Sequence, residues 1–252
     1  LRRAVAEDRA AGLTPFAVTA TVGTTSTTSI DPVPAIAEVA AASGLWLHVD
    51  AAYAGCAAVA PELRHVLDGC DRADSLVMNP HKWLFVPLDL SALYTRRPEV
   101  VRAAFSILPE YLRTSEETVA PNLMDYGISL GRRFRALKLW LVMRTYGTEG
   151  LADRIREHVR LAQLFRSWVE GDEDWTVVAP SPLSVVCFRA RFEGTPEEGD
   201  RANERVMDAV NASGDAYLSH TRIAERTVLR LAIGNAGTVE RHVARAWDLL
   251  RE

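Results

Sequence analysis

Lysine is almost missing from these 252 residues: Lys82 and Lys138 stand against 27 arginines. Arginine stays protonated at physiological pH, whereas a partly desolvated lysine can lose its proton and attack a carbonyl carbon, so amine chemistry has almost no other place to be. Cysteine is scarce as well. Cys56, Cys70 and Cys187 show no CxxC spacing and leave one thiol over in any pairing, which argues against a disulfide framework and for a reducing, cytoplasmic setting. We read them as buried apolar thiols. No apolar run approaches the roughly 20 residues that span a bilayer, and no signal-peptide pattern opens the chain, so the expectation is no membrane association. An excess of positive charge is lacking too. The 29 basic residues face 33 acidic ones, for a formal net charge of -4, and nothing invites a nucleic acid. The chain opens on Leu1 rather than Met, in a segment already amphipathic, which suggests a fragment or a processed product.

What is present reads as a globular α/β chain, 48% hydrophobic and 25% charged. Residues 1–11 have helical periodicity, and residues 16–21 form an apolar run that ends in the small, flexible stretch Gly23-Thr24-Thr25-Ser26-Thr27-Thr28-Ser29. Asp31-Pro32 offers an N-cap and a first-turn proline to a helix that Ser43-Gly44 stops. Further apolar runs at 45–49, 76–78 and 90–94 end at Asp50, Asn79 and Thr95. Strands alternating with helices predict a parallel sheet covered on both faces. Residues 107–127 have little periodicity and read as a long binding loop or lid.

Residues 132–147 then predict a helix with Phe134, Leu137, Leu141 and Val142 on its apolar side, Arg133, Lys138 and Arg144 on a solvated or ion-paired side, and Gly147 as C-cap. Thr148 caps a second helix that runs to about residue 169. Strands at 176–178, 185–190, 216–220 and 228–233, with helices at 200–211 and 238–250, predict a smaller α/β domain. The expected division is therefore 1–131 and 132–252.

In an open α/β sheet, ligands bind beyond the carboxyl ends of the strands. Thr21, Asp50 and the Asn79-Pro80-His81-Lys82-Trp83 segment all lie at such ends, so they should converge on one cleft. A lysine and a carboxylate in that relation suit pyridoxal phosphate, whose aldehyde needs an amine and whose ring nitrogen needs an anion to stay protonated. Ala51-Ala52 beside Asp50 leaves room for a flat ring. His48 alternates with Asp50 on the same strand but has no third ligand nearby in sequence, so it reads as a core histidine rather than a metal ligand, and no metal is expected. His65, His158, His220 and His242 are scattered and receive no role. Gly23-Thr24-Thr25-Ser26 is not followed by the lysine that a phosphate-binding nucleotide loop demands.

Four segments, in order and spacing, carry a family resemblance: Thr21-Val22-Gly23-Thr24-Thr25, His48-Val49-Asp50-Ala51-Ala52-Tyr53-Ala54-Gly55, Asn79-Pro80-His81-Lys82-Trp83 and Gly131-Arg132-Arg133-Phe134-Arg135. Together they resemble the group II pyridoxal phosphate-dependent decarboxylases, the aromatic-L-amino-acid decarboxylase family, from about residue 4 to the C-terminus. The resemblance implies the fold type I architecture of pyridoxal phosphate-dependent transferases, here part of the large, mainly parallel-sheet domain plus a small C-terminal α/β domain. It implies that Lys82 bonds covalently to the cofactor, Asp50 pairs with the ring nitrogen and Ala52 packs on one ring face. Asn79 and His81 would hold the phosphate, His81 also counting among the catalytic residues, and Thr21 would lie near the ring substituents.

By the same resemblance Tyr111 is the mobile-loop acid that returns a proton to the substrate's α-carbon, where family members with phenylalanine tend to form aldehydes instead. Gly131 goes with indole rather than phenol substrates. A small amino acid substrate and a homodimer with shared active sites are implied. The family's N-terminal half, with its dimer-building arm, further phosphate ligands and a histidine on the other ring face, is not among these residues. The activity expected is decarboxylation of an aromatic L-amino acid to its amine. An acidic substrate, glutamate or cysteine sulfinate, and a non-catalytic remnant that serves as an interface partner stay open as alternatives.

Overall fold

Four strands form a first sheet in the order β1 (Ala17–Thr21), β2 (Trp46–Asp50), β3 (Ser75–Met78) and β4 (Ala92–Thr95) in the computed structural model, which describes residues 1–106 and 122–252. β1, β2 and β3 pair in parallel, with Thr21 opposite Asp50 and Asp50 opposite Val77. β4 departs from the parallel expectation: it runs antiparallel to β3, with Leu76 opposite Tyr94. The segment from 79 to 91 folds back as a helical turn and loop instead of crossing over the sheet, which returns the chain antiparallel.

The packing follows from residue alternation. Leu47 and Val49 of β2 are buried while His48 and Asp50 are half-buried, so one face of the strand feeds the core and the other stays reachable. Helix α1 (Arg2–Ala10) precedes β1, and α2 (Val33–Ser43) joins β1 to β2, burying Val33, Ala37, Val39 and Ala40. It ends at Gly44 in the left-handed conformation, as Ser43-Gly44 predicts. Asp31 does not cap it. Pro32 is the N-cap residue without a side-chain bond, and the Asp31 carboxylate instead accepts the Thr21 N–H at 2.8 Å, tying the start of α2 to the end of β1. Three short 3-10 turns, Ala54–Val59, Pro61–Leu67 and Cys70–Arg72, link β2 to β3.

Beyond β3, the turn α3 (Pro80–Trp83) carries Lys82, and α4 (Pro98–Phe105) follows β4. Within the expected long loop, the described part holds a 3-10 turn at Leu123–Tyr126, whose buried Asp125 lies 3.5 Å from Arg102 of α4. Tyr111 lies outside the described residues. The next helix, α5 (Ala136–Glu170), begins four residues later than its periodicity predicts, and Gly147, at φ 65° and ψ 176°, kinks it where a helix end is expected.

The C-terminal residues build a second sheet, β5 (Trp175–Val177), β6 (Val185–Ala190), β8 (Arg226–Ala232) and β7 (Ser219–Ile223) in spatial order, antiparallel throughout. β7 starts three residues later than expected, because Asn211 accepts and donates at the backbone of Leu218 and keeps 216–218 as a connector. Helix α6 (Pro196–Ser213) opens on a complete capping box of Thr195 and Glu198, and α7 (Glu240–Arg251) closes the chain. Phe165 of α5 sits fully buried at edge-to-face angles to Phe188, at 5.0 Å, and Trp247, at 5.8 Å. Phe165→Ala in the full-length protein should cost about 3–5 kcal/mol, read as a lower urea midpoint of the C-terminal residues by tryptophan fluorescence.

Candidate functional site

The strand ends meet as expected. Parallel pairing sets Thr21 beside Asp50, and Val22 N–H donates to the Asp50 carbonyl at 2.8 Å. Asn79 N–H donates to the Ala52 carbonyl at 3.0 Å, and Lys82 N–H to the Asn79 carbonyl at 2.8 Å, so the segment after β2 and the turn after β3 are stitched together. Thr21, Asp50, Ala52, Asn79, His81 and Lys82 thus lie at or just beyond the carboxyl ends of neighbouring strands, although of these only Lys82 lines the cleft described below. Gly131 does not join them. It is exposed and lines a separate cleft with Asp89, Leu123 and Arg132.

Local contacts fix most of these groups. One oxygen of Asp50 accepts the Ala52 N–H at 3.0 Å, and the other has no hydrogen-bond partner among the described residues. His81 Nδ1 accepts the Leu90 N–H at 2.9 Å, which in the neutral ring leaves the proton on Nε2. His48 bonds to the Ser75 hydroxyl at 2.8 Å, and no cluster of metal-ligating side chains occurs among the described residues. Gly23 has φ +85°, and a Cβ there would lie 2.7 Å from Ala54 Cβ, so only glycine lets β1 end this close to the chain after β2.

Lys82 is exposed rather than partly desolvated and lines a cleft of about 220 Å³ with Thr24, Thr28, Tyr53, Trp83 and Arg230. Beneath it, burial pushes the Cys56 thiol up to about 12, against the Trp83 backbone and the Lys82 charge, so the thiol stays protonated and inert. Cys187 is buried as well, whereas Cys70 is only half-buried.

Several contributors have no signal in the local sequence. Tyr53 stacks on Trp83 with ring centroids 4.7 Å apart and bonds to the Ser184 hydroxyl at 2.6 Å; burial raises its phenol to about 12, against that bond. The Trp83 indole donates to His158 at 3.0 Å. Arg230 of β8 donates to the carbonyls of Ser26, at 2.8 Å, and Thr25, at 2.6 Å, so the second sheet holds the loop that walls the cleft. Of these, only Tyr53 and Trp83 fall within the segments that carry the family resemblance; Ser184, His158 and Arg230 do not.

Residues 1–191 match the pyridoxal-dependent decarboxylase conserved domain. The chain belongs to that family. It is 45% identical over 256 residues to tryptophan decarboxylase TDC1 of Camptotheca acuminata and 41% identical over 254 residues to the aromatic-L-amino-acid decarboxylase of Catharanthus roseus, in each case across 100% of this chain and 51% of the relative. The crystal structure of Oryza sativa TDC with PLP and tryptamine superposes with a TM-score of 0.94 at 45% identity, over 99% of this chain and 52% of that one. The chain thus spans about half the length of the curated relatives it matches, and its architecture is the fold type I expected, with the mixed sheet and second antiparallel sheet described above.

The cofactor of this family is pyridoxal phosphate, and the residues fit it. An amine and a carboxylate with an unengaged oxygen open on one edge, and the Asn79 side-chain oxygen is buried without a hydrogen-bond partner among the described residues. A buried polar atom in that state calls for a partner from outside the described chain.

Proposed function

We propose that the full-length protein decarboxylates an aromatic L-amino acid of the tryptophan, tyrosine or DOPA type to its amine and carbon dioxide. The observation that carries this is the placement of Lys82 and Asp50 at adjoining strand ends, in a chain of this family. Bound pyridoxal phosphate supplies a protonated ring that takes up the electron pair left when carbon dioxide departs. Lys82 Nζ holds the cofactor covalently, and the Asp50 carboxylate keeps the proton on its ring nitrogen. Ala52 packs on the ring, Thr21 borders its substituents, and Asn79 and His81 hydrogen-bond the phosphate. Tyr111 returns a proton to the substrate's α-carbon.

Residues 1–131 form the C-terminal part of the large cofactor-binding domain on this reading, and 132–252 the small domain. Gly131, away from the Lys82 cleft of its own chain, leaves space for a bulky aromatic side chain in an active site shared with a second copy. Two copies share their active sites. The large apolar side chains of Ile128, 95% exposed, Phe134, 78% exposed, and Trp140, 56% exposed, support an interface there, since exposed apolar surface favours association. No described helix is long and apolar enough to cross a membrane.

The test is turnover by the full-length protein with pyridoxal phosphate and L-tryptophan, L-tyrosine, L-DOPA, L-glutamate or cysteine sulfinate. Amine and carbon dioxide are expected from the aromatic set alone. Turnover confined to the acidic pair, or none despite normal cofactor uptake, overturns the proposal. Tyr111→Phe should shift product from amine to aldehyde, with dioxygen consumed; an unchanged amine yield removes Tyr111 from the proton step.

A further inference from the structure

Lys82 sits on a helical turn of four residues, too short to hold an orientation by its own hydrogen bonds. Its neighbours on the turn must hold it. His81 is tied to Leu90, and Trp83, only 1% exposed, is wedged between Tyr53 and His158. An indole nitrogen can only donate, so His158 Nδ1, 3.0 Å away, is an unprotonated acceptor. The neutral ring then carries its proton on Nε2, which donates to the Asn235 carbonyl at 3.0 Å. Both ring nitrogens are committed. The imidazole, itself 1% exposed, joins the Lys82 turn, helix α5 and the segment after β8 in one line.

We propose, on the reading that Lys82 anchors the cofactor, that His158 is a positioning residue: it aims Lys82 through the Trp83 indole, and does so only as the neutral Nε2–H tautomer. Protonation would set a second N–H against the Trp83 N–H and break the line between two donors. The surroundings oppose that charge. Burial lowers the proton affinity of the ring, Arg154 adds to the effect, and the Asn235 carbonyl and the neighbouring Glu157 work against it. On the other side the ring lies near-perpendicular to the Phe85 ring, with centroids 5.6 Å apart, and meets the indole. Arg154 is itself occupied, donating to the Ala236 carbonyl at 2.8 Å and lying over the Tyr146 ring.

Asparagine and glutamine separate the two ends of the imidazole. Asparagine places an oxygen near the Nδ1 position and can still accept from Trp83, whereas glutamine places its NH2 near Nε2 and can reach only the Asn235 carbonyl. The full-length protein, stripped of cofactor and given pyridoxal phosphate, would be reduced with borohydride at intervals, and labelled Lys82 counted by mass spectrometry. His158→Gln should slow labelling about tenfold, the size of leaving one buried donor unpaired, while His158→Asn stays within about threefold of the wild type. The ratio of wild-type to His158→Asn rates should be flat at neutral pH and fall only below the usual histidine range, because burial holds down the proton affinity of the ring and only the wild-type ring can take up a proton.

Trp83→Phe should match His158→Gln, and combining the two should cost nothing further. If His158→Gln fails to fold, Trp83→Phe carries the same comparison. Equal losses in the asparagine and glutamine variants with no pH dependence of the ratio would overturn the proposal. The indole 15N–1H signal of Trp83 reports the hydrogen bond without any cofactor, and should shift to the range of an unbonded indole in His158→Gln while staying in the hydrogen-bonded range in His158→Asn. An unmoved signal overturns the clamp even if Lys82 is labelled; a shifted signal with no Lys82 labelling in any variant sinks the anchor reading instead.

Discussion

Lys82→Ala in the full-length protein is expected to abolish the visible absorbance of bound pyridoxal phosphate and to lower amine formation by about a thousandfold or more. No other side-chain amine among these 252 residues is placed to substitute. Lys138, the second lysine, donates to the Pro87 carbonyl at 2.7 Å from the far side of the 85–91 loop, and the 27 arginines are not nucleophiles at neutral pH. Lys82→Arg is the sharper control, since it keeps a cation on the turn and removes only the amine. It should fail as completely as alanine. Folding should survive both changes, because Lys82 is exposed and its side chain makes no hydrogen bond among the described residues. Absorbance equal to wild type in either variant would remove Lys82 from the reaction.

Asp50→Asn should cut turnover by about a hundredfold or more, the scale of removing one preorganised charge from a reacting centre. The choice of asparagine isolates the charge. Its side-chain oxygen can still accept the Ala52 N–H that Asp50 now accepts at 3.0 Å, so the backbone after β2 keeps its course. Without the anion the ring nitrogen gives up its proton more readily, and the electron pair released by the substrate has a weaker acceptor. Cofactor should still bind through Lys82, which separates this variant from Lys82→Ala. A turnover within a factor of about two of wild type would show that the ring proton is held by another group.

Strand ends were legible in the chain because they are local. The apolar runs at 45–49 and 76–78 stop where a carboxylate and an Asn-Pro follow, and the observed β2 and β3 end there. Gly44 and Gly147 mark their breaks because only glycine takes those angles cheaply. Three readings fail for a physical reason each. β4 turns back on β3 since residues 79–91 form a helical turn and loop that do not cross the sheet, and Asp31 bonds to Thr21 across the loop instead of to its own helix. Lys82 is exposed because no described element packs over the cleft.

The sequence by itself determined the candidate anchor, through the near absence of any other lysine, and the placing of Asp50 and Thr21 at neighbouring strand ends, through apolar runs of the right length. The tertiary structure alone decided what surrounds them. Arg230 reaches Ser26 across 204 positions, His158 reaches Trp83 across 75, and Ser184 reaches Tyr53 across 131. Periodicity and propensity act over a few residues along the chain, whereas a hydrogen bond is set by distance in space. His158 shows the difference most plainly: unremarkable among scattered histidines in the sequence, it becomes in the fold the partner that leaves its tautomer no choice.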